Sequence, residues 1–177
     1  MYALFEDAGR FAAGRVMSET DTSLQVELES GKRVKVKAAN VLLRFERPAP
    51  AELFAAAQRL AADIDLDLAW QFAPDADFGF AELARDYFDA GAGPDKQAAA
   101  LFRLFDAPHY FRRVGKGLFR KAPAETVQAA LAAIEKKRQV AAQVEAWAAE
   151  LVAGRCPPPV REQLYKILFK PDKNAPE

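Results

Sequence analysis

Apolar and polar side chains alternate along the first 47 residues of the chain. Five short segments carry this period of two with branched or aromatic residues, at 2–6, 11–17, 24–29, 33–37 and 41–45. Such alternation is typical of half-buried β-strands. The Ser30-Gly31 pair marks a tight turn between the third and fourth segments. The pattern predicts a small SH3-like or OB-like β-barrel over residues 1–47, which would close on itself and leave no bare edge.

After this region the apolar residues recur at helical spacing. Pro48 and Pro50 mark the change, and Leu53, Ala57 and Leu60 then follow at three- and four-residue steps. Further helices are predicted at 65–70, 79–88, 95–106, about 123–153 and 160–169. The predicted fold class is α+β, with a β-barrel at 1–47 and a mainly helical domain at 48–177 that contains one long helix near its C-terminal end.

The stretch HYFRRVGKGLFRK, residues 109–121, holds the densest group of cations in the chain. Two basic and aromatic arms around Gly115 and Gly117 predict a β-hairpin, with the cations on its exposed side and the rings at its base. Helices joined by a glycine-containing turn and followed by a basic hairpin are the order of elements in a winged-helix (helix-turn-helix) domain. The hairpin residues expected to contact nucleic acid are Tyr110, Arg112, Arg113, Lys116, Arg120 and Lys121.

A second basic segment lies in the predicted barrel, where Lys32, Arg33, Lys35 and Lys37 alternate with valines. Arg10, Arg15 and Arg44 would extend this positive face. Both basic segments also have a simpler interpretation, because a half-buried hairpin or the outer face of a barrel carries solvated cations without binding anything. Phosphate contact and plain solvation both remain open for these residues.

Composition limits the surface charge to local patches, since 25 basic residues balance 25 acidic ones. The single cysteine excludes an intramolecular disulfide and suits a reducing cytoplasm. The N-terminal residues lack the pattern of a signal peptide, and no apolar run is long enough to span a bilayer. The expectation is a cytoplasmic protein without membrane contact.

No pattern of residues points to catalysis or to a bound metal. The chain has no phosphate-binding glycine loop of nucleotide-binding enzymes, no dinucleotide fingerprint and no nucleophile–base pair. The acidic run Asp63, Asp65 and Asp67 lacks the glycine and the terminal glutamate of a calcium loop. The chain is therefore expected to be no enzyme and to hold no cofactor.

Long segments of the chain resemble the N-terminal region of bacterial exoribonuclease II-type proteins, the RNB-domain ribonucleases. They are MYALFEDAGRF, GRVMSE, LQVELESGKRVKVKAANVLLRFE, APHYFRRVGKGLFRKAP, ALAAIEKK and LFKPDKNAPE. The resemblance implies a 3′-to-5′ exoribonuclease parent, in which this region would position single-stranded RNA without sequence preference. The catalytic aspartate cluster of that family has no counterpart here, so no catalytic residue carries over. Catalysis and Mg²⁺ would belong to a C-terminal catalytic domain of the same polypeptide, joined through a linker at 170–177.

A different function class fits the same sequence. The barrel and the helices would then form a structural or protein-interaction module, in which the cations meet acidic protein surface and the chain has no intrinsic affinity for RNA. Binding of single-stranded RNA distinguishes the two functions.

Overall fold

The computed structural model describes residues 1–172, and they form an α+β protein in which an antiparallel sheet precedes the helices. The strands are β1 (Tyr2–Asp7), β2 (Arg10–Glu19), β3 (Ser23–Leu28), β4 (Arg33–Lys37), β5 (Val41–Phe45), β6 (Phe78–Gly79), β7 (Phe111–Gly115) and β8 (Leu118–Lys121). The helices are α1 (Pro50–Asp63), α2 (Leu66–Phe72), α3 (Phe80–Tyr87), α4 (Pro94–Phe105), α5 (Ala124–Val152), α6 (Pro158–Glu162) and α7 (Leu164–Phe169). A 3-10 turn, Ala38–Asn40, joins β4 to β5.

The five predicted N-terminal strands are confirmed, with ends that shift by no more than two residues. Asp7 and Arg10 pair across the first turn, whose two central residues, Ala8 and Gly9, have φ of 47° and 78°. Two positive φ angles in a two-residue turn match the twist of paired strands. Gly31, with φ of 79°, turns the chain between β3 and β4 as predicted.

The predicted closed barrel is wrong, because the sheet stays open. Its strands pair in the order β4-β3-β2-β1-β5, so β4 and β5 each have one neighbour. A barrel would require these two edges to pair. Instead α4 packs against β5, and Lys116 Nζ, in the turn between β7 and β8, donates to Asn40 Oδ1 just before β5. A helix and a hairpin turn therefore adjoin β5, where closure would have required β4.

One face of the open sheet carries a small apolar core. Its buried residues come from three strands, β1, β3 and β4, and are Ala3, Phe5, Leu24, Val26 and Val36. Leu24 pairs with Val36 across β3 and β4, and Val26 pairs with Val34. Because side chains alternate along a strand, the residues between these pairs lie on the opposite, exposed face of β3 and β4.

The helices begin where proline and capping residues predict them. Pro50 and Pro94 stand at the first positions of α1 and α4, where a missing N–H costs nothing. Asp65 accepts a hydrogen bond from the Leu68 amide at 3.0 Å and caps α2. The predicted helix at 160–169 is instead two short helices, α6 and α7, because Gln163 has φ of −100° and ψ of 4°.

Contacts group the sheet, α1–α4 and the β7–β8 hairpin into one compact unit, Met1–Pro123, and the chain from Ala124 onward into a second. The division predicted at residue 47 does not coincide with this grouping. The second unit contains α5, whose 29 residues correspond to roughly 44 Å of helix. Of the predicted linker, residues 173–177 lie outside the described part of the chain. Within residues 1–172, no helix has both the length and the apolar character needed to cross a membrane.

Gly14 lies inside β2, where the neighbouring strand leaves no room for a side chain. A Cβ atom there would stand 2.4 Å from the Glu27 carbonyl oxygen and 2.7 Å from Val26 Cγ1. We expect Gly14→Ala to lower the free energy of unfolding by about 1–3 kcal/mol, because strand backbone must move. Urea denaturation measures this change. Gly79→Ala is the control, since no atom lies within 4 Å of the added carbon, and equal losses in the two variants would contradict the steric explanation.

Candidate nucleic-acid interface

The predicted hairpin at 109–121 is confirmed as β7 and β8, closed by a turn in which Gly117 has φ of 70°. Phe111 pairs with Lys121, Arg112 with Arg120, and Arg113 with Phe119. Cross-strand partners share a face, so Arg113 and Lys121 lie on the same face as the two buried phenylalanines. The expected separation of the cations from the rings is therefore wrong for Arg113 and Lys121, which share the face of the rings, although the Arg113 side chain stays 39% exposed. Arg112 and Arg120 form the outer face.

Aromatic packing holds the inner face of the hairpin against the rest of its unit. Phe111 and Phe119 are fully buried, and their ring centroids lie 5.9 Å and 6.5 Å from that of Phe78. Phe78 belongs to β6, a two-residue strand that pairs with β8 and that sequence periodicity does not predict. The rings at the base of the hairpin are thus core residues, as expected.

Arg113 reaches from the hairpin to the first strand of the sheet. Its Nη2 donates to Glu6 Oε2 at 2.7 Å, and only 11% of the Glu6 side chain is exposed. The guanidinium also lies 4.9 Å from the centroid of the Phe105 ring. A cation held between a mostly buried carboxylate and a ring neutralises that carboxylate and is not free to contact phosphate.

Acidic residues of the segment before β6 neutralise two further cations of the hairpin. Arg120 Nε donates to Asp77 Oδ1 at 2.5 Å, and this hydrogen bond holds the pKa of Asp77 below its usual value. Lys121 Nζ lies 2.8 Å from Asp75 Oδ1 and 5.0 Å from the centroid of the Trp70 ring. Arg120 and Lys121 therefore both link the hairpin to the segment between α2 and β6.

Arg112 is the one cation of the predicted hairpin set whose side chain makes no hydrogen bond or ion pair among residues 1–172. Lys116 donates to the amide oxygen of Asn40, which leaves its positive charge uncompensated but fixes its position. Arg112 and Lys116 are both exposed. The positive charge that the hairpin offers to a ligand is therefore much smaller than its five cations indicate.

Tyr110 does not belong to an exposed binding surface. Its side chain is 4% exposed, and its hydroxyl donates to Asp67 Oδ1 at 2.6 Å. Burial, supported by the bond to Asp67, raises the pKa of Tyr110 to about 12. The sequence-based assignment of Tyr110 as a nucleic-acid contact thus fails, because a ring inside the core offers no face to a base.

The basic residues of β4 have a different environment. Lys32, just before β4, and Lys35 and Lys37 on it are here termed the β4 lysine strip. All three are exposed and have no ion-pair partner in the described part of the chain. Lys35 pairs across the sheet with Gln25, and Lys37 with Ser23, so both stand beside uncharged residues. Arg33 differs, since its Nε lies 3.4 Å from Glu27 Oε1. The strip is the largest group of uncompensated cations that the predicted site residues form.

The three arginines expected to extend this face differ in whether their charge is paired. Arg44 on β5 makes a two-point contact with Glu19, in which Nη1 lies 2.6 Å from Oε2. This bond raises the pKa of Arg44 and lowers that of Glu19. Arg10 and Arg15 are exposed, and neither has an ion-pair partner within residues 1–172. Arg44 is therefore removed from the candidate surface, while Arg10 and Arg15 keep uncompensated charges.

Comparison of the chain with protein-family models, with curated proteins and with solved structures finds no match. The geometry of the two basic surfaces therefore has to support any functional assignment.

The ion pair between Arg113 and Glu6 is expected to stabilise the sheet–hairpin contact. Arg113→Ala leaves a mostly buried carboxylate without its donor, so we expect a loss of about 1.5–3 kcal/mol in the free energy of unfolding. Arg112→Ala is the matched control and should change stability by less than about 0.5 kcal/mol. Chemical denaturation of both variants checks this difference. Equal stability of the two would show that the ion pair contributes nothing net.

Tyr110 should make stability depend on pH in alkaline solution. Its pKa in the folded protein, about 12, lies above the value of about 10 for an unfolded tyrosine. Between these values the unfolded chain loses the proton first, so the contribution of Tyr110 is complete below pH 10 and lost as pH rises to about 12. We expect the stability difference between the wild type and Tyr110→Phe to shrink across this window. Tyr165→Phe, at an exposed position, should show no such dependence, and a constant difference for Tyr110→Phe would contradict the prediction.

Proposed function

We propose that this chain is an accessory nucleic-acid-binding region that holds single-stranded RNA, without sequence preference, for a catalytic domain of the same polypeptide. The observation that carries the proposal is the β4 lysine strip, whose three charges are exposed and in which Lys35 and Lys37 stand opposite uncharged residues. Unpaired lysines in a row attract a phosphate backbone and release its counterions, whatever the base sequence. The resemblance to the N-terminal region of RNB-domain ribonucleases supports RNA as the nucleic acid and a cytoplasmic location.

The second contact in this proposal is the outer face of the hairpin. The order α3, glycine-containing turn, α4 and hairpin supports a winged-helix assignment, in which β7 and β8 form the wing. Arg112 and Lys116 are the wing residues with charge left for a phosphate. The apolar and alanine-rich character of α4 offers few groups that read base edges, which agrees with binding that ignores sequence. In this scheme catalysis and its Mg²⁺ belong to the catalytic domain.

A second function, a structural or protein-interaction module, is favoured by a specific observation. Four of the five hairpin cations bond to residues of their own chain, namely to Glu6, Asn40, Asp75 and Asp77. A hairpin whose cations make these contacts has a structural role, because it holds other segments of the chain in place. A chain of this kind would bind a catalytic domain and have negligible affinity for RNA.

Fluorescence anisotropy of a labelled single-stranded RNA at several salt concentrations tests the proposal. We expect the double variant Lys35→Gln and Lys37→Gln to weaken binding for every sequence alike. The slope of log affinity against log salt should become shallower by about 0.7 for each phosphate that the variant no longer neutralises. Arg44→Gln is the matched control, because that exposed arginine is already paired with Glu19. Absence of binding at low salt would overturn the proposal in favour of the scaffold. An equal loss of affinity in the control would overturn the β4 lysine strip as the RNA contact.

A further inference from the structure

A groove of about 500 Å³ opens where the β1–β2 turn meets α1 and α4. Its apolar wall consists of Phe11, Phe54, Phe102 and Phe105. Phe102 is stacked between Phe11, at a centroid distance of 5.2 Å, and Phe54, at 5.4 Å. Phe102 is buried, whereas Phe11, Phe54 and Phe105 keep part of their surface exposed. Three partly open rings on a rigid stack form a platform for another planar group.

Polar groups of both signs line the same groove. Arg10 is exposed and has no ion-pair partner within residues 1–172. Arg103 donates through Nε to the Ile64 carbonyl oxygen at 3.1 Å, a bond that fixes the guanidinium and does not use its terminal nitrogens. Asp106 and Gln58 supply a carboxylate and an amide. The groove thus presents two arginines and two hydrogen-bond acceptors around an aromatic wall.

This combination restricts the chemistry of a ligand. The wall favours a planar ring, the two guanidiniums favour an anion such as a phosphate, and the carboxylate requires N–H donors or a cation. An apolar peptide side chain would leave the arginines unused. A nucleotide carries all three features, because its base stacks, its phosphate is anionic and the edges of guanine, adenine and cytosine donate N–H groups.

We propose that the groove binds one nucleotide, with its base against the phenylalanines, its phosphate at Arg10 and Arg103, and an N–H edge of its base at Asp106 or Gln58. The nucleotide belongs either to the RNA strand or to a free mononucleotide. In the first case the inference rests on the proposed function and adds a base-stacking site to the phosphate contacts of β4. Arg113 already covers a face of Phe105, so Phe11 and Phe54 are the rings left for the base.

The test compares labelled single-stranded RNA with an abasic ribose–phosphate strand of equal length. Stacking on an aromatic ring adds enough affinity that we expect the RNA to bind at least about fivefold more tightly than the abasic strand. Phe54→Leu, which keeps the apolar volume but removes the ring, should reduce RNA affinity to that of the abasic strand. Arg10→Gln, at an exposed position that does not support the core, should weaken RNA binding in a wild-type fold. Arg85→Gln, at an exposed arginine of α3 with no ion-pair partner within residues 1–172, is the control for the loss of one unpaired arginine outside the groove.

Guanosine 5′-monophosphate and ribose 5-phosphate, each followed by calorimetry, separate the two sources of the nucleotide. Binding of the first but not the second, weakened by Phe54→Leu, supports a free mononucleotide whether or not RNA binds. Base-dependent RNA binding without mononucleotide binding supports a nucleotide within a strand. Equal affinity for RNA and the abasic strand, with no mononucleotide binding, overturns the proposed nucleotide site in the groove. The proposed phosphate contact at the β4 lysine strip is then unaffected. Absence of every binding reaction overturns both proposals.

Discussion

The stacking of Phe102 between Phe11 and Phe54 is the contact on which the arrangement of this unit depends. Each ring comes from a different element, namely β2, α1 and α4, so the stack fixes the sheet against both helices at once. Aromatic pairs of this kind add about 0.5–1.5 kcal/mol each beyond the area they bury. Phe105, one turn further along α4, continues the contact to Arg113. The position of the hairpin therefore follows from the packing at the sheet.

The hairpin shows that the number of cations in a segment does not determine the electrostatic potential around it. Glu6, Asp75 and Asp77 lie far from the hairpin in sequence, yet the fold brings their carboxylates to Arg113, Lys121 and Arg120. Each pair neutralises a cation and links two elements of the fold. By contrast, β4 pairs with a strand whose facing residues include serine and glutamine, and its lysines keep their charge.

Local patterns predicted the elements well because they depend on neighbours in the chain. Alternation located β1 to β5, prolines located α1 and α4, and Gly117 located the hairpin turn. Features set by contacts between distant residues were not predictable in this way. Nothing near Glu6 indicates that it pairs with Arg113, and nothing near Tyr110 shows that its hydroxyl meets Asp67 inside the core. The prediction of a closed barrel failed for the same reason, since closure depends on what packs beside β5.

Because the sheet is open, the lysines of β4 have a second physical effect. Among the described strands β4 has a neighbour on one side only, so the backbone groups along its other side are a template for pairing with another chain. A row of like charges along such an edge repels a second copy that approaches in the same way. The charges available to a phosphate backbone therefore also protect the protein against edge-to-edge aggregation, and their removal changes solubility together with binding.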